Sequence, residues 1–194
     1  YLTEMVEKMR LEANAVRDAW NDGYDVTFYT ADGTDVGSST GILFNEFVKD
    51  IELLKNAKIG IPGGQFSAGE PLPEMTEAHF SKHSKTLALE SISALKNCFQ
   101  GIAGSGYDDY IMDVEGEDVD PSLATNIINQ FDLAKSKINA LGADFNADVM
   151  TNFDGFQEAF LEIKKIVTYT KTDMASLLGL QITFSDSDGD ENIS

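Results

Sequence analysis

The feature that most constrains this chain is the helical spacing of its apolar residues. In the first 21 residues they recur every three or four positions, from Leu2 through Met9 to Trp20, as on the buried face of an amphipathic helix. Five such segments occur, at residues 2–21, 39–57, 74–99, 121–142 and 152–169. The sequence therefore predicts an all-α protein, an up-and-down bundle of about five helices that forms one domain over residues 1–194.

Two short stretches and one long one depart from this pattern. VTFYT at 26–30 and QITFS at 181–185 are rich in β-favouring residues, and we expect them to pair as a minor β ribbon. The stretch between the third and fourth helices carries seven acidic residues and no basic one from Asp108 to Asp120. It is predicted to be a long loop.

Capping side chains mark three of the predicted helix starts. Ser39 or Thr40 precedes the second helix, Ser122 the fourth, and Asn152 or Asp154 the fifth. The glycine-rich GIPGG at 60–64 lacks the lysine and hydroxyl of a phosphate-binding loop and is interpreted as a turn. The third helix is expected to bury Phe80, Leu87, Ala88, Ala94, Leu95, Cys98 and Phe99.

The charge balance argues against one class of partner. The chain has 14 basic and 33 acidic side chains, a formal charge of −19. Such a chain repels phosphate backbones, so nucleic-acid binding is not expected, whereas cations and basic partners are favoured.

No apolar run approaches the roughly 18 residues that predict a membrane span. Cys98 is the only cysteine, which excludes an internal disulfide and predicts a small buried side chain.

The only two histidines, His79 and His83, stand four positions apart in the third predicted helix. That spacing places both imidazoles on one helix face, where such a pair can bind a metal. A zinc peptidase helix needs a glutamate directly after its first histidine, and Phe80 occupies that position. Zinc also requires at least three protein ligands, and no third histidine is present. A stabilising helix edge is therefore favoured over a metal site complete within this chain.

An acidic run near residue 190 is a second metal candidate. Asp186, Asp188 and Asp190 alternate around Gly189 like the start of a calcium loop. The glycine after the third ligand and the later bidentate glutamate are missing before Ser194, so a solvated acidic tail is the preferred interpretation.

Three stretches resemble the imelysin family, which comprises imelysin-like metallopeptidases and their iron-regulated relatives. They are EAHFSKHSKTLALESISALKNCFQG at 77–101, YLTEMVEKMRLEANAVRDAW at 1–20 and LLGLQITFSDSDGD at 177–190. The first resembles a family helix in which a glutamate precedes a hydroxyl-rich turn and an apolar stripe ends at an aromatic and a glycine. The matching positions are Glu77, Ser81, Ser84, Asn97, Phe99 and Gly101.

The resemblance implies a place in a larger protein. Imelysin-like proteins consist of two helical bundles, and their signature GxHxxE motif lies in the first. This chain has no such motif, because Lys82 and Thr86 stand three positions after the two histidines. It therefore resembles the second bundle, and its expected partner is the N-terminal half of the same protein.

Family members are typically periplasmic proteins or lipoproteins of the cell envelope. The chain begins at Tyr1 without a signal peptide, and we expect it to be a processed or truncated piece of an exported protein.

The resemblance also implies a metal-related binding role, with iron uptake as the associated process. A divalent metal, iron or zinc, would be shared with the N-terminal half, and His79 and His83 would add at most one ligand. No catalytic residue is assigned. The candidates for ligand binding or for the face toward the other half are Glu77, His79, Ser81, His83, Ser84 and Glu90.

Two alternatives stay open. In one, the chain is part of a metal-dependent peptidase whose ligands lie in the N-terminal half, and the isolated chain is then expected to be inactive. In the other, it is a structural domain for protein interaction.

Overall fold

A computed structural model describes residues 1–116 and 121–184. Every regular element within these ranges is helical, which confirms the predicted all-α class. The α-helices are α1 (Leu2–Ala19), α2 (Asp25–Thr30), α3 (Ser39–Leu53), α4 (Ser84–Gln100), α5 (Tyr107–Glu115), α6 (Leu123–Ala140), α7 (Phe145–Asp148), α8 (Phe153–Thr168) and α9 (Ala175–Leu178). The π-helical turns Trp20–Tyr24, Leu54–Gly60 and Tyr169–Met174 continue α1, α3 and α8, and a 3-10 turn, Pro73–Met75, precedes α4.

Four long helices, α3, α4, α6 and α8, form the bundle and enclose its core. Helix α3 packs against α4 and α8, and α6 packs against the same two helices, so the four close into a ring. Aromatic rings meet at its centre, where Phe47 lies 6.2 Å from Phe99 and 6.4 Å from Phe131 between centroids. The fully buried aliphatic side chains include Ile51, Leu54, Ile92, Ile127, Ile138, Ile163 and Ile166.

Capping confirms two of the predicted helix starts and shifts a third. Ser122 Oγ accepts a hydrogen bond from Thr125 N at 3.1 Å, and Asn152 Oδ1 accepts one from Gly155 N at 3.2 Å. The cap of α3 is Ser38, whose Oγ accepts from Gly41 N at 3.0 Å. Ser39 and Thr40 already belong to the helix, so their predicted capping role is wrong by one or two positions.

Helix α1 forms as predicted but buries nothing. Every one of its residues is exposed except the half-buried Asn14. Leu2, Val6 and Met9, which the periodicity assigned to a buried stripe, are 75%, 65% and 69% exposed. The prediction that this stripe contributes to the core of the bundle is therefore wrong.

The predicted β ribbon is also wrong within the described residues. VTFYT belongs to α2, which continues from α1 through a kink at Gly23, where φ is +106°. The indole of Trp20 packs at 5.2 Å between centroids against both Tyr24 and Phe28. These aromatic contacts, made between residues four and eight positions apart, favour a helix over the intrinsic β-propensity of the segment. Residues 181–184 form no strand.

Helix α4 begins ten residues later than the apolar pattern predicted. Residues 77–82 form a turn, because Lys82 adopts a left-handed conformation with φ of +60° that interrupts any helix. Phe80, predicted to be buried, is 96% exposed. Of the other predicted core positions, Ala88, Leu95 and Phe99 are buried, whereas Leu87, Ala94 and Cys98 are exposed.

Part of the predicted acidic loop is helix α5. Its first turn is stabilised by Asp109, whose Oδ2 accepts a hydrogen bond from Gly106 N at 3.0 Å. Carboxylates are favoured there because they face the positive end of the helix dipole. Ile111 is fully buried and anchors the helix to the core. Part of the acid-rich segment that was predicted to be a loop is therefore the N-terminus of a helix.

Candidate functional site

Five of the six candidate residues, Glu77, His79, Ser81, His83 and Ser84, lie in the turn at 76–84, which packs against the start of α7, whereas Glu90 lies on α4. Thr76 Oγ1 donates to Asn146 Oδ1 at 2.7 Å, and Asn146 Nδ2 donates to the carbonyl of His79 at 2.9 Å. Lys82 forms an ion pair with Asp144, and this hydrogen bond lowers the pKa of the Asp144 carboxyl below its ordinary value. The turn is thus held from the α7 side by two amide hydrogen bonds and one ion pair.

His79 is half-buried, and its ring is oriented by two partners at Nδ1. That nitrogen lies 3.0 Å from the carbonyl oxygen of Pro73 and 2.7 Å from Asn146 Nδ2. A protonated Nδ1 donates to Pro73, whereas an unprotonated Nδ1 accepts from Asn146, so the tautomer decides which bond forms. With the proton on Nδ1, Nε2 carries a free lone pair. A hydrogen bond from Nδ1 to a backbone carbonyl is the usual arrangement around metal-binding histidines.

The other candidates occupy different positions around the turn. Ser84 is buried, and its Oγ accepts from Ala78 N at 3.0 Å, so its role is to close the turn. Glu77 lies at the edge of a hollow of about 360 Å³ and pairs with Lys58 at 2.5 Å. Ser81, His83 and Glu90 are exposed.

The predicted placement of both imidazoles on one helix face is wrong. His79 lies in the turn, and His83 stands directly before the first residue of α4, where its side chain makes no capping hydrogen bond. Across residues 1–116 and 121–184, no three His, Cys, Asp or Glu side chains converge into a group able to hold a metal ion. The described residues therefore fit one oriented ligand and not a complete metal site. Asp186, Asp188 and Asp190 lie outside the described residues, and the calcium-like interpretation of them stays a prediction.

A buried ion cluster at the end of α3 escaped the sequence analysis. Glu52 lies between Lys55, at 2.7 Å, and Lys171, at 2.6 Å. The Lys55 side chain is only 1% exposed, and its ammonium lies 5.8 Å from the ring centroid of Phe160. Both lysines belong to π-helical turns, Leu54–Gly60 and Tyr169–Met174. The cluster joins these two turns through charges that are largely removed from water.

One sequence signal could have revealed this cluster. In IELLKNAKIG the charged pair Glu52 and Lys55 stands three positions apart, beside the apolar residues Ile51, Leu53 and Leu54. An i, i+3 pair of opposite charge on the apolar side of a helix indicates a buried ion pair. The third member, Lys171, comes from a distant segment and has no such local signal.

These features define a class of protein: an all-α helical bundle in which a structured turn at 76–84 packs against the start of α7. The family model for imelysin matches residues 1–168, and the chain belongs to the imelysin family. The match includes the two family-like stretches at 1–20 and 77–101 and ends before LLGLQITFSDSDGD at 177–190. Neither the curated proteins nor the solved structures provided a match. No helix in the described part of the chain has the length and apolarity needed to cross a membrane.

Proposed function

We propose that this chain is a cation-related binding domain of an imelysin-family protein at the cell envelope. In this proposal it supplies one oriented ligand, His79, to a metal site completed by the N-terminal half of the same protein. The observation that carries the proposal is the position of the His79 ring, whose Nδ1 lies 3.0 Å from the Pro73 carbonyl. A ring held in this way can present Nε2 to an ion without losing further orientational freedom.

Electrostatics supports a cation as the ligand. The formal charge of −19 creates a negative field that raises the local concentration of cations and speeds their arrival. Imidazole nitrogen suits iron and zinc better than magnesium or calcium, which prefer oxygen ligands. Iron is our first choice because the chain resembles iron-regulated relatives within the family, and iron uptake is the process we propose. The envelope location rests on the family, whose members are typically exported.

We favour binding over hydrolysis. Peptide hydrolysis by a metal needs several protein ligands, an activated water and a general base. Within the described ranges only one oriented histidine is available at the turn. We therefore expect no chelator-sensitive peptidase activity from the isolated 194 residues, and such activity would show that the ligands lie within this chain.

The two histidines allow a direct test by NMR, because their ring protons give only two sets of signals. The probe is Co²⁺, a paramagnetic substitute for Fe²⁺ and Zn²⁺. We expect saturable broadening of the His79 signals, with Nε2 as the affected nitrogen and the proton moved to Nδ1. His83→Gln is the matched control, since it removes the exposed histidine and should leave the His79 response unchanged.

His79→Gln should abolish the saturable response, and a thermal unfolding curve would verify that this variant still folds. Equal broadening of both histidines would indicate weak surface binding and overturn the assignment. Broadening of His83 alone, or no broadening at millimolar Co²⁺, would overturn it as well.

A further inference from the structure

The apolar face of α1 has no partner within the described chain. Its exposed stripe includes Leu2, Met9 and Val16, the last of which is 61% exposed. A helix of 18 residues that buries nothing is marginally stable in water, because most helix stability in proteins comes from packing of the apolar face. An exposed apolar face of this length is typical of a surface that packs against another molecule.

A groove between α3 and α4 has exposed apolar walls. It has a volume of about 450 Å³, and its walls carry apolar side chains that are exposed although the helical pattern predicted burial. Ala94 and Cys98 on α4 are residues of this kind, and Leu43 on α3 is a further exposed apolar side chain of the groove. The apolar faces of α3 and α4 are thus wider than the bundle core requires.

The stripe and the groove match in length. The α3 wall of the groove runs from Leu43 to Leu53, which at about 1.5 Å per residue is roughly 15 Å. On α1 the segment from Met5 to Val16 spans about 16 Å by the same measure. One helix could therefore lie along the groove over about three turns.

The charges at the two borders are complementary. The only arginines of the chain, Arg10 and Arg17, both stand on α1, and at about 100° per residue they flank the same side of its apolar stripe. The α3 wall of the groove carries Glu46 and Asp50, both exposed. Among the described residues, each arginine pairs with an exposed carboxylate of its own helix, and such pairs are easily exchanged.

We propose that α1 docks into the α3–α4 groove of a second copy of this chain, with its arginines against Glu46 and Asp50, so that two copies exchange their first helices. The contact is isologous, because each copy offers one helix and one groove. This inference concerns a surface separate from the turn at His79 and does not depend on the proposed function.

Net charge opposes the association, which gives it a defined salt dependence. Two copies that each carry −19 repel each other at long range. At about 0.15 M salt the screening length is roughly 8 Å, so the repulsion between distant charges fades while the contacts within the groove persist. We therefore expect more dimer at physiological ionic strength than at about 0.01 M salt.

The single native cysteine provides a sharp test, since Cys98 lines the groove. In the proposed dimer the thiol of Met9→Cys faces the groove of the other copy, and a mild oxidant should produce a disulfide-linked dimer on a non-reducing gel. Leu11→Cys is the matched control, because Leu11 is exposed on the opposite side of α1 and should not form a disulfide with Cys98. Cys98 is exposed, but the groove walls partly desolvate its thiol and raise its pKa, so the oxidation is carried out under mildly alkaline conditions.

Mass spectrometry of the dimer should identify a linkage between the introduced thiol of one copy and Cys98 of the other, and adding Cys98→Ser should remove it. Reversal of both arginines (Arg10→Glu with Arg17→Glu) should weaken dimerisation about tenfold, a loss typical of two surface ion pairs. Pairing it with Glu46→Arg and Asp50→Arg should restore the dimer.

Two outcomes would overturn the proposal. A disulfide within one chain would mean that α1 folds onto its own groove. A monomer in light scattering at about 100 µM, with no disulfide in Met9→Cys, would mean that the occupant of the groove is another protein segment.

Discussion

Asn45 of α3 binds the backbone on both sides of Ile182, and Thr183 is its main partner. Asn45 Oδ1 accepts hydrogen bonds from Thr183 N at 2.8 Å and from Thr183 Oγ1 at 3.0 Å. Its Nδ2 donates to the carbonyl of Gln181 at 2.9 Å. One buried amide therefore takes the place of the β partner that the sequence predicted for this segment, and it fixes residues 181–183 to the bundle.

Asn45→Ala should lower the free energy of unfolding by about 2–3 kcal/mol, because several hydrogen bonds are lost and the Thr183 amide is left without its acceptor. Chemical denaturation measures the loss. Asn97→Ala is the matched control, since Asn97 is exposed on α4 and its replacement should change stability by less than about 0.5 kcal/mol. Equal effects of the two substitutions would contradict the anchoring role of Asn45.

Removal of the carboxylate at the buried ion cluster should be among the most damaging changes in the bundle. Glu52→Ala removes the carboxylate that lies 2.7 Å from Lys55, whose side chain is 1% exposed, and 2.6 Å from Lys171. We expect a loss of about 3 kcal/mol or more, as is usual when one partner of a buried pair is deleted. Thermal or urea unfolding reports this change.

Glu158→Ala provides the comparison for Glu52→Ala. Glu158 pairs with Lys137 at 2.8 Å, but its side chain is 61% exposed. Its removal should alter the free energy of unfolding by less than about 1 kcal/mol. If Glu52→Ala were as mild as this control, the buried cluster would not be a stabilising element.

Asp108 should make stability depend on pH. It is 8% exposed, and burial raises the pKa of its carboxyl above the ordinary value, although the Asp109 amide at 3.0 Å partly opposes the shift. Below the ordinary pKa near 3.8, both the folded and the unfolded states are protonated at this site. As pH rises, the unfolded state ionises first, so the contribution of Asp108 to stability falls through the folded pKa.

Asp108→Asn should therefore stabilise the protein by up to about 1 kcal/mol at about pH 7 and have little effect near pH 3. Urea denaturation at the two pH values tests this difference. Asp113→Asn removes the same charge from an exposed position on the same helix and corrects for the general effect of net charge. A gain that is the same for both variants would argue against desolvation at Asp108.

The helical periodicity was sufficient to predict the bundle itself. Phe131 and Ile138 on α6, and Phe156 and Ile163 on α8, are each seven positions apart, as on one face of a helix, and all four are buried. These positions could be predicted because a long amphipathic helix must bury its apolar face, and the two helices bury theirs against each other. Capping by Ser122 and Asn152 could also be predicted, because each capping hydrogen bond joins residues that are close together in the sequence.

The candidate site was less predictable because it depends on contacts between distant residues. His79 is oriented by Pro73, six positions earlier, and by Asn146, which is 67 positions away. The break before α4 arises where Lys82 takes a left-handed conformation, and its ion pair with Asp144 spans 62 positions. Spacing within one segment carries no information on such partners, so the pattern extended the helix through the turn.

The sequence by itself determined the five long amphipathic segments that contain α1, α3, α4, α6 and α8, and which of their faces are apolar, because both follow from contacts within a few turns of the chain. Only the tertiary structure decided which apolar faces meet. It paired α3, α4, α6 and α8, left the stripe of α1 exposed, and drew Lys55 and Lys171 together around Glu52. The physical reason is that periodicity specifies which face of a helix must be buried. The surface that covers this face is selected by shape and charge across the whole fold.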